Sequence, residues 1–114
     1  MAGASSITSL KHTALALYGI TGDGVLFEFD PRRRKVTRTL KVCDRGGDLV
    51  LSGTKAYTSD EDAVYKVDLV AFTARKLVEG LASDWFGGGS RIALDPSRRA
   101  LYGLKGRNLI RIAI

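Results

Sequence analysis

A short phrase recurs along this 114-residue chain. Residues 16–31 read ALYGITGDGVLFEFDP, residues 100–112 read ALYGLKGRNLIRI, and residues 55–68 repeat the phrase more loosely as KAYTSDEDAVYKVD. Residues 6–22 also align with residues 90–106 without a gap. Self-similarity of this kind is the signature of repeat architectures. The chain is therefore expected to fold as a series of similar units.

Each copy of the phrase predicts two short strands joined by a tight turn. In the first copy, Gly22 and Gly24 flank Asp23, which favours a hairpin turn in which both glycines take positive φ angles. Tyr18 and Tyr57 lie 39 positions apart, and Tyr57 and Tyr102 lie 45 apart. A period of about 40–45 residues with four short strands per repeat is typical of a β-propeller blade.

The repeat predicts an all-β fold of about three four-stranded antiparallel, propeller-like blades in one domain, residues 6–114. The blades are expected at about residues 6–42, 48–81 and 90–114, with the last one lacking its outer strand. Residues 1–5 are small and polar and predict a disordered N-terminus.

Closed propellers have at least about four blades, so a three-blade chain is expected to be a partial propeller that is completed by self-association. The last strand supports this expectation, because it is too apolar for an ordinary exposed edge. Its apolar residues are Leu109, Ile110, Ile112 and Ile114.

Residues 55–78 resemble a blade of the YVTN and NHL type of propeller. They combine a tyrosine strand, an acidic turn, a strand that ends in a hydrophobic residue and Asp68, and then a polar turn and an outer strand. Residues 27–31, FEFDP, carry the same hydrophobic-Asp ending at Asp30. The resemblance implies the fold and assigns no active site, because propellers host many functions.

A second resemblance, to the tachylectin and tectonin propellers, rests on residues 84–96, DWFGGGSRIALDP, and the following LYG. It implies a carbohydrate-binding lectin, which is the alternative function. A lectin of this kind would repeat its tryptophan in every blade, and Trp85 is the only tryptophan of the chain.

The residue content disfavours an enzyme. The chain has one histidine, His12, and one cysteine, Cys43. A catalytic triad or a histidine-ligated metal needs partners that this spacing does not supply. We therefore expect no catalytic residues, no metal and no cofactor. We also expect a cytoplasmic protein without membrane contact, because the chain lacks a signal-like start and a long apolar run.

Charge is distributed unevenly between the two ends of the predicted blades. More than half of the 18 lysines and arginines fall on the turns of one end, including Arg75 and Lys76, whereas most turn acids fall on the other end. The predicted basic face comprises Arg32, Arg33, Arg34, Arg98 and Arg99. It favours an acidic partner, whereas the lack of aromatic residues among the arginines disfavours nucleic acid.

Candidate ligand contacts lie on loops at the other end of the blades. An aromatic pair in a loop can form a platform for a sugar or a peptide, and polar turn residues can orient the ligand. The candidates are Trp85, Phe86, Asp60, Asp62 and Arg107. The sequence thus predicts a non-enzymatic binding scaffold for a protein or peptide, with a sugar as the alternative ligand.

Overall fold

The computed structural model of this protein describes residues 7–13, 16–60, 63–79, 92–95, 97, 99–105 and 108–114. In this part of the chain every regular element is a β-strand. None of it forms a helix long and apolar enough to cross a membrane. The predicted disordered N-terminus at residues 1–5 lies outside the described residues.

The strands form three antiparallel sheets, each built from consecutive strands in chain order. Sheet 1 contains β1 (Ile7–His12), β2 (Leu17–Thr21), β3 (Val25–Asp30) and β4 (Lys35–Lys41). Sheet 2 contains β5 (Leu49–Ser52), β6 (Lys55–Ser59), β7 (Val64–Asp68) and β8 (Thr73–Val78). Sheet 3 contains β9 (Ile92–Asp95), β10 (Ala100–Lys105) and β11 (Asn108–Ala113). This architecture confirms the predicted all-β fold of three blade-like units, the third with three strands among the described residues.

The sheets pack face to face at two junctions, and alternation along the strands supplies an apolar face for each. At the first junction, Tyr18, Ile20 and Leu26 of sheet 1 pack against Leu49 and Val67 of sheet 2. Four of these five side chains are completely buried, and Tyr18 is 8% exposed. Burial of apolar area on this scale is the main force that holds the two sheets together.

The second junction repeats this arrangement between sheets 2 and 3. Tyr57 and Val64 of sheet 2 pack against Ile92, Leu101 and Ile112 of sheet 3. In sheets 1 and 2, the tyrosine on the second strand thus points at the next sheet.

The strand β11 is less exposed than its apolar sequence suggested. Ile112 is buried, and Ile110 and Ile114 pack against the core of the second junction. Leu109 is 69% exposed. Alternation along the strand explains the difference, because successive side chains point to opposite faces. Only one of the four predicted edge residues is therefore strongly exposed.

Asp48, immediately before β5, joins the innermost strands of all three sheets. Its Oδ1 accepts a hydrogen bond from Ser9 Oγ of β1 at 3.5 Å, and its Oδ2 accepts one from the Ile92 backbone N–H of β9 at 3.2 Å. The Asp48 carbonyl accepts a bond from Thr58 Oγ1 at 2.6 Å, which satisfies a fully buried hydroxyl. One carboxylate thereby fixes the spacing of the three innermost strands.

The hairpin turn between β2 and β3 differs in one respect from its prediction. Gly24 has the expected positive φ of 81°, whereas Gly22 is absent from the positive-φ residues of the described chain. The Gly24 carbonyl accepts a hydrogen bond from the Val42 N–H at 2.9 Å. A Cβ atom at Gly24 would overlap the carbonyl of Cys43. The connection from sheet 1 to sheet 2 therefore rests directly on this glycine.

Candidate functional site

Five of the predicted site residues lie outside the part of the chain that the structure describes. Trp85, Phe86, Asp62, Arg98 and Arg107 lie outside the described residues, so their contacts stay predictions. Asp60 and the arginines at 32–34 and 99 are described.

Asp60 shapes the turn between β6 and β7. Its Oδ1 accepts a hydrogen bond from the Ala63 N–H at 2.7 Å, and its Oδ2 accepts one from the Tyr65 hydroxyl at 3.1 Å. Burial raises the pKa of Tyr65, and the negative charge of Asp60 raises it further. Among the described residues no group of three or more histidine, cysteine or acidic side chains is placed to hold a metal ion. The observed contacts give Asp60 a structural role in the turn.

We call one end of the blades the basic end. It carries the turns between β1 and β2, β3 and β4, β5 and β6, β7 and β8, and β9 and β10. Arg32, Arg33 and Arg34 are exposed on the turn from β3 to β4, and Arg99 is exposed before β10. The antiparallel order of the sheets places these turns at the same end. Arg34 and Arg99 have positive φ angles of 55° and 49°.

Aspartates at the ends of strands β3 and β7 hold the turns of the basic end in shape. Asp30 Oδ1 accepts hydrogen bonds from the N–H groups of Arg32 at 2.9 Å and Arg33 at 3.3 Å. Asp68 Oδ1 accepts the corresponding bonds from Val70 at 2.9 Å and Ala71 at 3.2 Å. These bonds satisfy turn N–H groups that no strand partner reaches, which fixes the position of the exposed arginines.

Two cations predicted to lie on turns of the basic end belong to a strand instead. The strand β8 begins at Thr73, so Arg75 and Lys76 are strand residues. Lys76 Nζ lies 3.0 Å from Glu79 Oε2 and 5.9 Å from the centre of the Tyr65 ring. Lys76 is therefore not part of the basic end. The prediction failed because the polar turn before β8 is shorter than the composition indicated.

An ion pair that the sequence did not reveal lies within sheet 1, at the first junction and beside the basic end. On the face of sheet 1 that points at sheet 2, Arg38 Nη2 lies 2.6 Å from Glu28 Oε2 and its Nε lies 3.2 Å from Oε1. Tyr18 Oη donates to Glu28 Oε2 at 2.9 Å, and Thr37 Oγ1 donates to Oε1 at 2.7 Å. Hydrogen bonds from Arg38 lead the causes that hold the pKa of Glu28 at about 2.

Arg38 also binds the neighbouring sheet. Its Nη2 donates to the Leu69 carbonyl at 2.7 Å, its Nη1 donates to the Val70 carbonyl at 3.0 Å, and its guanidinium stacks 4.3 Å from the centre of the Phe72 ring. A planar guanidinium suits this arrangement, because it can bind a carboxylate, two carbonyls and a ring at once. Arg38 and Glu28 together form what we call the clamp of the first junction.

The equivalent positions of sheet 2 carry different chemistry. Tyr18 pairs with Glu28, and Glu28 with Arg38, across the strands of sheet 1; in sheet 2 the same register pairs Tyr57 with Lys66, and Lys66 with Arg75. A lysine thus replaces the carboxylate of the clamp. The two cations line a cavity of about 290 Å³, together with Lys55, Asp68, Thr73 and Ala74.

The two other titratable groups singled out from the sequence, His12 and Cys43, differ in their exposure. His12 is exposed at the end of β1. Cys43 is buried, and desolvation is the main cause that raises the pKa of its thiol to about 11. The reactive thiolate is therefore scarce at neutral pH.

Comparison with solved structures identifies the fold. The structure is similar to the crystal structure of Sqt1 from Saccharomyces cerevisiae, with a TM-score of 0.70 and 12% sequence identity, over 95% of this chain and 30% of that one. It is also similar to the computationally designed Ika8 protein, with a TM-score of 0.63 and 14% identity, over 87% of this chain and 30% of that one. No family model and no curated protein matches the sequence.

Similarity at these identities establishes the fold alone. Both solved structures are propellers, and the three described sheets correspond to propeller blades that form an open arc. The chain spans about a third of the length of either protein. Sheets 1, 2 and 3 are called blades 1, 2 and 3 below.

Proposed function

We propose that this chain is a non-enzymatic binding scaffold that recognises a protein or peptide partner through the basic end of its blades. The observation that carries the proposal is the set of exposed arginines, Arg32, Arg33 and Arg34, on a turn that Asp30 holds in place. Cations on a rigid support attract an acidic partner and lose little conformational freedom in the turn backbone when they bind.

The chemistry of the described residues supports a binding role over a catalytic one. Glu28 is held ionised in the clamp, and the pKa of Cys43 is raised, so neither is suited to proton transfer or nucleophilic attack at neutral pH. We further propose that the repeats are of the YVTN type. The hydrogen bonds of Asp30 and Asp68 to the turns that follow them support this assignment.

The proposal is tested by capture of partners on the immobilised chain. The test variant replaces Arg32, Arg33 and Arg34 with serine. The control variant removes three cations away from the basic end, at Lys41, Arg45 and Lys76. A protein that binds the parent chain and the control but not the test variant supports the proposal, provided that the purified protein reproduces the difference. If every captured protein binds the two variants equally well, the proposal is wrong.

We also propose that copies of the chain associate, with blade 3 of one copy against blade 1 of the next. The face of blade 3 that carries Tyr102 is equivalent to the faces by which blades 1 and 2 pack on their successors. On β1, Leu10 is 51% exposed, on the side of blade 1 that points away from blade 2. The two faces thus match the two sides of an existing junction, and a pair of copies joined in this way has a two-fold axis.

Light scattering on the purified chain at micromolar concentration tests this association. We expect a dimer that dissociates when Leu10 is replaced with aspartate, because an unpaired charge would be buried at the new junction. The control is Val70→Asp, since Val70 is 73% exposed on the turn between β7 and β8. A folded monomer of the parent chain would contradict the proposal.

A further inference from the structure

We propose that the cavity of blade 2 beside Lys66 and Arg75 is a receptor for a carboxylate side chain, an aspartate or glutamate of the partner protein. The inference rests on the proposed function as a protein-binding scaffold, and it adds the chemical group that the partner inserts. Four observations support it: an internal template, donors without acceptors, the local charge and the size of the cavity.

Blade 1 provides the template. There the carboxylate of Glu28 accepts hydrogen bonds from Arg38 Nε at 3.2 Å, from Arg38 Nη2 at 2.6 Å and from the Tyr18 hydroxyl at 2.9 Å. The register of blade 2 places Tyr57 and Arg75 at the positions of Tyr18 and Arg38. Blade 2 thus retains two of the residue types that bind the carboxylate in blade 1, and it lacks the carboxylate itself.

The donors of blade 2 have no acceptor among the described residues. Tyr57 is 3% exposed, yet its hydroxyl makes no hydrogen bond in this part of the chain. Neither Lys66 nor Arg75 forms an ion pair there. A ligand carboxylate in the cavity would accept hydrogen bonds from Lys66 and Arg75, which line it, whereas Tyr57 lies beside the cavity and outside its lining.

The tyrosine lies close to the cations that line the cavity. It pairs directly with Lys66 across the strands, so the two side chains share one face of the sheet. The positive charges of Lys55 and Arg75 oppose the effect of burial, which is the main cause that raises the pKa of Tyr57. The Tyr57 hydroxyl therefore interacts electrostatically with Lys55 and Arg75, two of the cations that line the cavity.

The charge of the cavity also favours an anion. Asp68 is the acidic residue of its lining, and Lys55 Nζ lies 2.8 Å from Asp68 Oδ2. The other oxygen of Asp68 accepts the N–H groups of Val70 and Ala71. This carboxylate is thus compensated within the blade, which leaves Lys66 and Arg75 as an excess of positive charge.

The volume of about 290 Å³ is sufficient for one side chain and a short stretch of peptide. A planar carboxylate fits better than a tetrahedral phosphate, because the same cross-strand geometry already binds a planar carboxylate through the fork of Arg38 in blade 1. We therefore assign the cavity to aspartate or glutamate and treat a phosphopeptide as a competing outcome.

The first test measures the binding of peptide probes to the full chain. The probe is a fluorescent peptide of alternating glutamate and glycine, and its matched control has glutamine in place of glutamate. We expect the glutamate probe to bind at least about tenfold more tightly. The double variant Lys66→Gln, Arg75→Gln should remove this preference, whereas the control Lys41→Gln, Arg45→Gln, which removes two cations away from the basic end, should retain it.

The second test supplies the carboxylate from within the blade. In Lys66→Glu, the new side chain occupies the position of Glu28 between Tyr57 and Arg75. We expect a melting temperature a few degrees above that of the parent chain and loss of the preference for the glutamate probe. The control Lys66→Gln removes the charge without supplying a carboxylate, and it should not raise the melting temperature.

Several outcomes would overturn the inference. These are equal binding of the glutamate and glutamine probes, tighter binding of a phosphoserine probe than of the glutamate probe, or a melting temperature of Lys66→Glu no higher than that of Lys66→Gln. Failure of the proposed function is separable from these. If no protein partner is captured, but the glutamate probe binds through Lys66 and Arg75, then the scaffold role is wrong and the carboxylate site remains.

Discussion

The two junctions between the blades are alike in their apolar layers and different in their polar ones. At both, a tyrosine on the second strand of one blade packs into a cluster of aliphatic side chains from the next. At the first junction, Glu28 and Arg38 add an ion pair and two hydrogen bonds to the carbonyls of the neighbouring blade. At the second, the corresponding residues are Lys66 and Arg75, and no such clamp forms among the described residues.

This difference comes from a single position, Glu28 in blade 1 and Lys66 in blade 2. The carboxylate of Glu28 accepts hydrogen bonds from Tyr18 and Arg38, and it orients Arg38 toward the carbonyls of the next blade. Lys66, at the equivalent position of blade 2, cannot accept hydrogen bonds from Tyr57 and Arg75, so their donors are not used by it. Repeated blades supply the same geometry twice, and the exchange of one charge leaves one copy with a clamp and the other with a cavity lined by Lys66 and Arg75.

The most severe way to break the first junction is Gly24→Val. Gly24 has a φ of 81°, and a Cβ atom there would overlap the carbonyl of Cys43 in the connection between blades 1 and 2. We expect a loss on the order of 3 kcal/mol in the free energy of unfolding, measured by urea denaturation.

The matched control for Gly24→Val is Gly53→Val, which introduces the same β-branched residue. Gly53 also has a positive φ, 58°, but a Cβ atom there meets nothing within 4 Å. It should lose only about 1 kcal/mol, because backbone strain is the sole cost. Equal losses for the two variants would show that the contact with Cys43 contributes nothing.

The next largest effect is expected from Arg38→Gln. This change removes the interblade hydrogen bonds and leaves Glu28 without its main partner. The Arg38 side chain is 36% exposed, so water compensates part of the loss, and we expect about 1–2 kcal/mol. The equivalent change at the second junction, Arg75→Gln, should alter the free energy of unfolding by less than about 0.5 kcal/mol. If the two changes cost the same, the contrast between the junctions is wrong.

Acid should weaken the first junction through Glu28. The pKa of Glu28 is about 2 in the folded chain and about 4.3 in the unfolded chain, so the unfolded state binds a proton first as the pH falls. The stabilisation is complete above the unfolded value and is lost as the pH falls through about 2. We expect the free-energy difference between the parent chain and Glu28→Gln, measured by urea denaturation, to shrink between pH 4.5 and pH 2.

Asp68 also has a pKa of about 2, because it accepts hydrogen bonds from Lys55 and from the turn, but it is present in both chains and cancels in the comparison. A difference that stays constant over this range of pH would mean that the charge of Glu28 does not stabilise the clamp.

The smallest effect is expected at the ring beneath Arg38. In Phe72→Leu, the apolar contact with the first junction is largely kept, while the face of the ring is lost. A double-mutant cycle with Arg38→Gln should give a coupling of about 0.5–1 kcal/mol, the range expected for a cation over an aromatic ring. A coupling of zero would assign the whole clamp to the carbonyls and Glu28.

The architecture could be predicted from the sequence because its determinants are local. The recurring ALYG phrase, the turn at Gly24 and the strand-end aspartates Asp30 and Asp68 each specify a turn or a strand within a few residues. The structure agrees with these features. It differs at β8 and at Gly22, where the composition indicated the kind of element but not its boundary or its dihedral angles.

The clamp could not be predicted in the same way because its partners are distant in the chain. Arg38 lies on a charged outer strand, which by itself indicates exposure, and it binds carbonyls more than 30 positions away. A signal for the contrast was nevertheless present. When residues 27–30, FEFD, are aligned with residues 65–68, YKVD, Glu28 falls on Lys66. Comparison of the charges in the aligned repeats would have singled out both positions.

The carboxylate of Asp48 has a consequence for how the blades open. In a repeat array, units that contact only their neighbours can unfold one at a time. The Ile92 N–H of blade 3 donates to Asp48 of blade 2, and the same carboxylate accepts Ser9 Oγ of blade 1. Deuterium uptake at the Ile92 amide therefore reports on the contact between blades, not on blade 3 alone. Removal of the Asp48 carboxylate should expose this amide to exchange while the amides within β6 remain protected.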